Sequence, residues 1–366
     1  MLRTQKLENK TGCEEDGLEI EKCKCVKKIS IIIPCYNVSQ YIDRCMNSIV
    51  DQTIGLDNLE VICVDDASED DTWIHLQEWE HRFSENIILI HLETNRRQGT
   101  ARNVGLSYAS AEWISFVDAD DWLEPDYFEQ LYKPTKIYDV DVVSCGTQED
   151  TSTSLKYFNE NGRGSEEDEY YIADKKEITK MWLRYKILGN GAWAKIIRRN
   201  LIMEHELFFV EGLVYEDHHW IPLLHIYATH AYIIGRKLYH YFMSPDSTVR
   251  SRNKDYHIDW ITVQMIKWKN YGERKLFKDF REELEEDALD DAVGFMKMLI
   301  MRYDQPSFSM FQLEKELINQ YVPDYKCNPY INDYIGMAQI FLKMLYSPLN
   351  KIEFYKLIKQ LRDEKV

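Results

Sequence analysis

Two aspartates that lie one residue apart, Asp118 and Asp120, follow a short apolar run and precede a third aspartate, Asp121. Two carboxylates one residue apart at a strand end, where the chain turns, point in different directions, so one can bind a metal ion while the other meets a sugar hydroxyl. Mg²⁺ and Mn²⁺ suit hard oxygen ligands and typically combine one or two protein carboxylates with substrate phosphate oxygens. Such an ion neutralises charge on a departing diphosphate. An isolated Asp-x-Asp motif, however, is more often a solvent-exposed acidic turn than a metal site.

The ends of two other apolar runs carry residues that strengthen the functional interpretation. The first run is followed by Pro34, Cys35, Tyr36 and Asn37, and the second by Asp65 and Asp66. An aromatic face and a carboxylate edge suit a uracil base, whose N3–H is a hydrogen-bond donor. A purely structural sheet does not require an aromatic ring, an amide and several carboxylates at neighbouring strand ends.

The elements that must position these residues alternate between strands and helices. Apolar runs predict strands at 29–33, 59–64, 87–92 and 113–117. The helical pattern after the first strand places five side chains on one face, Tyr41, Ile42, Cys45, Met46 and Ile49. A second helix is predicted to begin with Ser68 or Asp70 as its N-cap, and a third from about Gly99. This alternation predicts βαβ units whose strands share one ligand-binding edge.

The stretch from Ile29 to Asp126 resembles the family 2 (GT-A fold) glycosyltransferases in four ordered motifs, at 31–37, 64–72, 101–106 and 116–121. The resemblance implies an α/β fold, in which a Rossmann-like nucleotide-binding mixed sheet is flanked by helices. We therefore expect a flexible leader over 1–28, a transferase domain over 29–250 and a helical C-terminal region over 251–366. Within the domain, 29–146 would form the nucleotide-sugar half and 147–250 the acceptor half.

The family's roles transfer to the residues that match its motifs. The nucleotide-binding set implied by the resemblance is Pro34, Tyr36, Asn37, Asp66, Arg102 and Asp118. Tyr36 would lie near the face of the base and Arg102 by the base or the diphosphate. Asp118 would approach the ribose and share the metal with Asp120, which is the principal metal ligand in this interpretation. Asp121 is expected to support the turn.

Weaker resemblance continues at 193–199, 215–219 and 238–241, in the family's usual order. In inverting members, the aspartate of a Glu-Asp pair is the catalytic base. A base is required because the acceptor hydroxyl must lose its proton as it attacks the anomeric carbon. Asp217 is the predicted base, with Glu216 as the second choice. The structural alternative is a Glu-Asp pair that stabilises a helix N-terminus.

Two histidines and two residues further along extend the candidate site. His218 and His219 follow the Glu-Asp pair, but adjacent helical positions point about 100° apart, so both cannot easily face one ion. One of them could complete the metal site or bind the diphosphate. Ser247 and Arg250 would supply diphosphate contacts by resemblance; the alternative for each is an ordinary polar loop.

Composition limits the partners and the compartment. The formal net charge is −17, which argues against nucleic acid as a partner. The N-terminus shows neither an apolar signal region nor a small-residue cleavage site, so we expect a cytoplasmic protein. The eight cysteines have no disulfide-scaffold spacing and are expected to be free thiols. Cys13, Cys23 and Cys25 lack a fourth ligand at zinc spacing.

Two segments outside the motifs carry further expectations. The polar stretch from Thr147 to Gly164 predicts a surface loop, which together with the region of Trp193 would influence the choice of donor sugar. A basic amphipathic helix is predicted from Lys351 to Arg362, with Ile352 and Ile358 on its apolar face. That face could pack on the body of the protein, on a second copy in a homodimer, or peripherally on the inner face of the cell membrane, with packing on protein favoured.

Together these observations predict an inverting glycosyltransferase. It would move a hexose or N-acetylhexosamine from a UDP-sugar to a glycan or lipid-linked acceptor, assisted by Mg²⁺ or Mn²⁺, in cell-surface polysaccharide or glycoconjugate synthesis. A non-catalytic nucleotide-sugar-binding subunit is the alternative from a different class. A sugar-phosphate nucleotidyltransferase is disfavoured because the first strand lacks a glycine-rich, basic phosphate loop after it.

Overall fold

The structure is a computed structural model that describes residues 27–150, 155–158, 169–173, 176–189, 191–244 and 247–363. Cys13, Cys23, Cys25 and all but the last two residues of the predicted leader lie outside the described residues. The five cysteines that are described, Cys35, Cys45, Cys63, Cys145 and Cys327, are all free thiols, as predicted.

Strands and helices alternate through the first part of the described chain. The strands are β1 (Ile29–Cys35), β2 (Leu59–Asp65), β3 (Ile87–His91), β4 (Trp113–Phe116), β5 (Trp122–Leu123), β6 (Val142–Asp150), β7 (Leu155–Phe158), β8 (Glu169–Ala173), β9 (Lys195–Arg198) and β10 (His230–Phe242). The helices up to β10 are α1 (Ile42–Val50), α2 (Thr72–Arg82), α3 (Arg97–Tyr108), α4 (Tyr127–Tyr132), α5 (Lys176–Tyr185), α6 (Arg199–Glu204) and α7 (Asp217–Tyr227). The helices after it are α8 (Asp259–Glu273), α9 (Phe277–Arg302), α10 (Phe308–Tyr321), α11 (Met337–Tyr346) and α12 (Lys351–Asp363).

The described strands form one mixed sheet in the order β3-β2-β1-β4-β9-β6-β10-β5, with β7 paired to β6 and β8 paired to β10. The first four strands in this order are parallel, whereas β9 is antiparallel to both of its neighbours. Cys35 pairs with Asp65, and Ile32 with Phe116, so the carboxyl ends of β1, β2 and β4 meet at one edge. The prediction of a mixed α/β sheet flanked by helices is confirmed.

Both faces of β1 are buried, as its run of isoleucines predicts. Ile31 and Ile33 pack in one apolar core with α1, while Ile32 packs in a second core with α3. Gly105 of α3 permits this second contact, because a Cβ at that position would lie 2.4 Å from Ile32 Cγ2. The close approach of α3 to the sheet positions Arg102 at the ligand-binding edge.

Two local predictions differ from the structure. Asp71 is the N-cap of α2, and the Asp70 carboxylate instead accepts hydrogen bonds from the Thr72 amide (3.0 Å) and hydroxyl (2.5 Å). The loop predicted from Thr147 was wrong for residues 147–150, which continue β6. Pairing with β10 and β7 satisfies the backbone there, so tertiary hydrogen bonding outweighs the low strand propensity of these polar residues.

The helices α8–α12 have an apolar core of their own, which includes Phe295, Phe311 and Phe354. Within the described residues, no helix combines the length and hydrophobicity needed to cross a bilayer. The predicted amphipathic helix is α12, and its buried side chains are Phe354, Ile358 and Leu361, while Ile352 is 81% exposed. The Arg362 guanidinium donates to the Ile300 carbonyl of α9 at 2.7 Å. This face of α12 therefore packs on the body of the protein.

Candidate functional site

A cavity of about 790 Å³ opens at the edge where β1, β2 and β4 end. The predicted donor, metal and base residues that line it are Pro34, Tyr36, Asn37, Asp66, Arg102, Asp118, Asp120 and Asp217. His218, Ser247 and Arg250 line the same cavity, whereas Glu216 and His219 do not. Residues as distant in the sequence as Pro34 and Arg250 are therefore brought to one cavity by the fold.

The acidic turn after β4 is fixed by its third aspartate. The Asp121 side chain is fully buried and accepts hydrogen bonds from the Tyr239 hydroxyl (2.6 Å) and the Phe242 amide (2.7 Å). Burial, followed by the charges of Asp120 and Asp118, raises the pKa of Asp121 well above its ordinary value. Asp121 thus anchors the turn to β10 and leaves the other two aspartates at the cavity, as expected.

Asp120 has the surroundings of a carboxylate that needs a cation. Burial and the nearby Asp118 raise the pKa of Asp120 to about 6. The Arg44 guanidinium lies 3.9 Å from the Trp122 ring centroid and donates to the Asp120 backbone carbonyl at 2.6 Å rather than to its carboxylate. A divalent ion would stabilise the ionised Asp120 in this environment.

The donor set fits an ion that also uses substrate oxygens. Among the described residues, no group of three or more His, Cys, Asp or Glu side chains is arranged to hold a metal ion. Asp118 and Asp120 would therefore supply the protein ligands, with phosphate oxygens completing the coordination, which is the usual arrangement for Mg²⁺.

Arg102 connects the acidic turn with the Glu-Asp pair. Its side chain is only 3% exposed and donates to Asp118 Oδ1 at 2.8 Å and to Glu216 Oε1. The nearby carboxylates outweigh the effect of burial and raise the pKa of Arg102. Two nitrogens of Arg102 are committed to carboxylates, so the side chain positions the acidic turn relative to the Glu-Asp pair. Its contact with the base or the diphosphate, implied by resemblance, stays a prediction.

The two members of the Glu-Asp pair have different environments. Asp217 is the first residue of α7 and is partly exposed to the cavity, and its Oδ1 accepts the His218 amide at 3.1 Å. Glu216 is fully buried against Arg102, and burial, offset in part by Arg102, raises its pKa to about 7. Glu216 has no access to an acceptor, so the structure does not support it as the alternative base.

The two histidines separate as helical geometry predicts. His218 lines the cavity, with Nδ1 at 3.3 Å from Asp291 Oδ1 of α9. Burial disfavours its charged form, but the hydrogen bond with Asp291 and the charge of Asp217 outweigh this and raise the pKa of His218. His219 is buried, and burial followed by the charge of Lys267 lowers its pKa to about 4. Only His218 is therefore available to a ligand.

The loops after β1 and β2 form one part of the cavity lining. Tyr36 is 41% exposed at the cavity. Asn37 has a φ of +52°, a region that asparagine tolerates better than most residues, and its Oδ1 accepts the Glu69 amide at 2.8 Å. Asp66 Oδ1 accepts the Arg96 amide at 2.7 Å, and burial raises its pKa. These contacts hold the loops that surround Tyr36.

Trp193 and Lys195 form another part of the cavity lining. The Trp193 ring stacks with Tyr239 and Tyr241, at centroid distances of 5.1 and 5.4 Å. The Lys195 ammonium is buried and donates to the carbonyls of Gly191 and Trp193, the latter at 3.0 Å. Burial lowers the pKa of Lys195 to about 7. Lys195 thereby fixes the segment that presents the Trp193 ring.

The lining residues that were not identified from the sequence include Arg97, Trp260 and Arg302. Trp260 lies in α8 and Arg302 is the last residue of α9, in a region that carries no recognised motif. Only long-range packing of α8 and α9 against α7 brings them to the site, so no local signal could have identified them.

Known proteins resemble this chain in sequence and in fold. Residues 30–205 match the family model described as Glycosyl transferase family 2. The EpsH protein of Bacillus subtilis is 29% identical over 266 residues, which is 70% of this chain and 73% of EpsH. Glycosyltransferase GlyA of Streptococcus pneumoniae is 27% identical over 308 residues, 80% of this chain but only 41% of GlyA.

The solved structures include TarS of S. aureus, residues 1–349 in complex with UDP-GlcNAc. The TM-score is 0.52 at 18% identity, and the match covers 87% of this chain and 81% of that chain. The likeness shows that the fold is GT-A. Within this fold, residues 30–205 match the domain model of the family 2 glycosyltransferases.

Proposed function

We propose that this chain is an inverting transferase that moves a hexose or N-acetylhexosamine from a UDP-sugar to a glycan acceptor of the cell surface. The observation that carries the proposal is that Tyr36, Asp118, Asp120 and Asp217 line one cavity. An aromatic ring for the base, carboxylates for ribose and cation, and a carboxylate base are the parts that such a transfer needs. The structure of TarS with UDP-GlcNAc supports the choice of donor class.

In this proposal, Asp217 accepts the proton of the acceptor hydroxyl as its oxygen forms a bond to the anomeric carbon. The bond from that carbon to the diphosphate oxygen breaks, and UDP leaves with the electron pair. The attack is from the face opposite UDP, so the configuration inverts and no enzyme nucleophile is needed. Asp120 and Asp118 would hold a Mg²⁺ or Mn²⁺ ion, which would supply charge neutralisation at the diphosphate.

Two supporting assignments follow from position. Ser247 and Arg250 line the same cavity as Asp120, and Arg250 is close enough to influence the pKa of Asp120. We assign both to the diphosphate. We also propose a cytoplasmic location, since nucleotide sugars are made there. The buried face of α12 gives no support to membrane contact through that helix.

The test measures UDP release and UDP affinity separately, with Mn²⁺ or Mg²⁺ and a panel of UDP-sugars. Asp217→Asn should lower kcat by about 10²–10⁴-fold with UDP affinity unchanged, because only proton removal is lost. Asp120→Asn should weaken metal-dependent UDP binding. Asp57→Asn, an exposed aspartate outside the cavity, is the matched control. Absence of turnover with every donor, together with unchanged UDP binding in Asp120→Asn, would refute the proposal.

A further inference from the structure

The wall of the cavity contributed by α7, α8 and α9 has features that the reaction at the donor does not explain. Trp260 of α8 and Arg302 of α9 line this wall together with Tyr215 and His218. The Trp260 ring centroid lies 4.7 Å from that of Tyr215 and 4.4 Å from that of His218. His218 directly follows the proposed base, Asp217, so this group of four residues, the helical wall, lies beside the point of attack.

Arg302 is available to a ligand in the cavity. Its Nη1 donates to the Arg250 carbonyl at 3.2 Å, and no ion pair among the described residues involves its guanidinium. By contrast, the neighbouring Arg252 forms an ion pair with Asp304 at 2.6 Å. A partly buried guanidinium that lines a cavity without a carboxylate partner is suited to bind an anion.

His218 adds a second polar side chain to the same wall. Its Nδ1 is held by Asp291 of α9, which leaves Nε2 for a ligand in the cavity. Asp291 also forms an ion pair with Lys267 of α8, and this pair holds the Asp291 carboxylate that orients the His218 ring. Arg302 and His218 thus present hydrogen-bond donors from two different helices.

Trp260 offers both a flat surface and an unused donor. Among the described residues, its indole Nε1 is buried without a hydrogen-bond partner. The ring packs over Gly294 of α9, where a Cβ would come within 2.9 Å of Trp260 Cζ2. The ring therefore packs on α9 and also lines the cavity, where its accessible part can contact a ligand.

From this arrangement we propose that the helical wall binds an acceptor that carries a phosphate group close to the hydroxyl that is attacked. Arg302 and His218 would bind the phosphate oxygens, and Trp260 would contact the sugar or polyol that bears the hydroxyl. This inference rests on the proposed function and specifies its acceptor class. The phosphate could belong to a polyol phosphate or to a lipid carrier, which present the same chemistry to these side chains.

The experiment measures binding of sn-glycerol 3-phosphate by calorimetry to the full chain saturated with UDP and Mn²⁺, so that the donor diphosphate site is filled. Uncharged glycerol is the reference ligand. We expect measurable affinity for glycerol 3-phosphate only, and a loss of about tenfold or more in Arg302→Gln. Arg252→Gln is the matched control, because it removes the same charge from a nearby arginine that is ion-paired and lies outside the cavity. This variant should bind glycerol 3-phosphate as tightly as the wild type does.

A second arm replaces glycerol 3-phosphate with dodecyl phosphate below its micelle concentration. If dodecyl phosphate binds more tightly than glycerol 3-phosphate, and Arg302→Gln weakens this binding, a lipid carrier is favoured. If the two ligands bind equally well, a polyol phosphate is favoured. Trp260→Phe keeps the ring but removes the N–H donor, and should weaken both ligands while the thermal midpoint stays close to that of the wild type.

The inference is overturned if glycerol 3-phosphate binds no better than glycerol, or if Arg302→Gln binds it as the wild type does. It is also overturned if Arg302→Gln weakens UDP itself, since Arg302 would then belong to the donor site. Failure of the proposed function is distinguishable, because UDP binding and donor turnover are measured without any phosphorylated ligand.

Discussion

At the scale of single residues, the most consequential side chain is Arg102, because it joins the two halves of the site. It forms ion pairs with Asp118 of the acidic turn and with Glu216, the residue before the proposed base. Both the guanidinium and Glu216 are removed from solvent, so neither charge is balanced by water. The attraction within such a buried pair adds little net stability to the folded state. Removing one partner, however, strongly destabilises the folded state, because the other charge is then left buried and unpaired.

Arg102→Met should therefore lower the free energy of unfolding by about 3–5 kcal/mol, because Glu216 would be left as an uncompensated buried carboxylate. Chemical denaturation measures this loss. Arg96→Met is the control, since Arg96 pairs with Glu211 on the surface, where both side chains are about half exposed, and such pairs contribute about 1 kcal/mol or less. Similar losses for the two variants would contradict the bridging role.

At the scale of elements, helix-to-sheet packing decides where the site residues lie. Gly105 of α3 is in contact with Ile32, and a methyl group there would overlap it. At Gly272 of α8, by contrast, the atom nearest to an added Cβ would be Phe277 Cε2, and their distance of 3.9 Å is an ordinary van der Waals contact. The two glycines have the same helical context but different neighbours.

Gly105→Ala should destabilise the protein by about 1–3 kcal/mol, because α3 must move away from β1. Gly272→Ala should be neutral or stabilising by up to about 1 kcal/mol, because alanine is the better helix former. Both are measured by denaturant titration. UDP affinity should also fall in Gly105→Ala, since α3 carries Arg102; unchanged stability in this variant would show that the packing adjusts freely.

The helical region contains a buried carboxyl group that makes stability depend on pH. Burial, followed by the charge of Asp291, raises the pKa of Glu314 to about 8, and its Oε2 accepts from Gln264 at 3.1 Å. Between the ordinary pKa of a glutamate and about 8, the folded state therefore binds the proton that the unfolded state has lost. In this window the contribution of Glu314 to stability falls as pH rises, by at most about 1.4 kcal/mol per pH unit.

Glu314→Gln should remove that part of the pH dependence, because the amide does not titrate. As the pH rises from 5 to 8, the wild type should lose stability relative to the variant, so the unfolding free energy of the variant minus that of the wild type should increase. Glu353→Gln on the exposed side of α12 is the control and should show a flat difference. A flat difference for Glu314→Gln as well would mean that its carboxyl group is solvated.

At the scale of the whole molecule, the helical region is part of the site and not an appendage. Lys267 of α8 forms ion pairs with Asp287 and Asp291 of α9, and Asp287 also pairs with Lys186, which follows α5. Through Asp291 this buried network reaches His218 in the cavity. The α8–α9 pair thus supports α7, on which the proposed base is placed.

A chain ended after residue 250 should therefore fail to fold to the native stability of the full chain. It would lose the apolar cover of α5 and α7 and leave Lys186 without its partner Asp287. Calorimetry of the full chain should show one cooperative transition, while the shortened chain should show a midpoint lower by many degrees or none. A shortened chain that retains both the midpoint and the UDP affinity would show that the two regions are independent.

The sequence was sufficient for the parts of the site that follow strand ends. Tyr36, Asp66 and Asp118 could be placed together because parallel strands bring their carboxyl ends to one edge. The burial of Arg102 and Glu216 could not be predicted, since it depends on how closely α3 and α7 approach each other. The continuation of β6 through Gln148 was missed because its polar residues are held by partner strands distant in sequence.

The placement of Arg250 and Arg302 inside a cavity of a chain with a net charge of −17 has a kinetic consequence. At distances beyond about 10 Å, an incoming phosphorylated substrate meets the repulsive field of the whole surface, and attraction begins only near the cavity mouth. Added salt screens the repulsion between the substrate and the surface charges strongly. It screens the attraction between the substrate and the two arginines less, because the cavity interior is partly desolvated. Encounter with anionic substrates should thus become faster as ionic strength rises to moderate values, the reverse of the behaviour of enzymes whose surface charge steers such substrates.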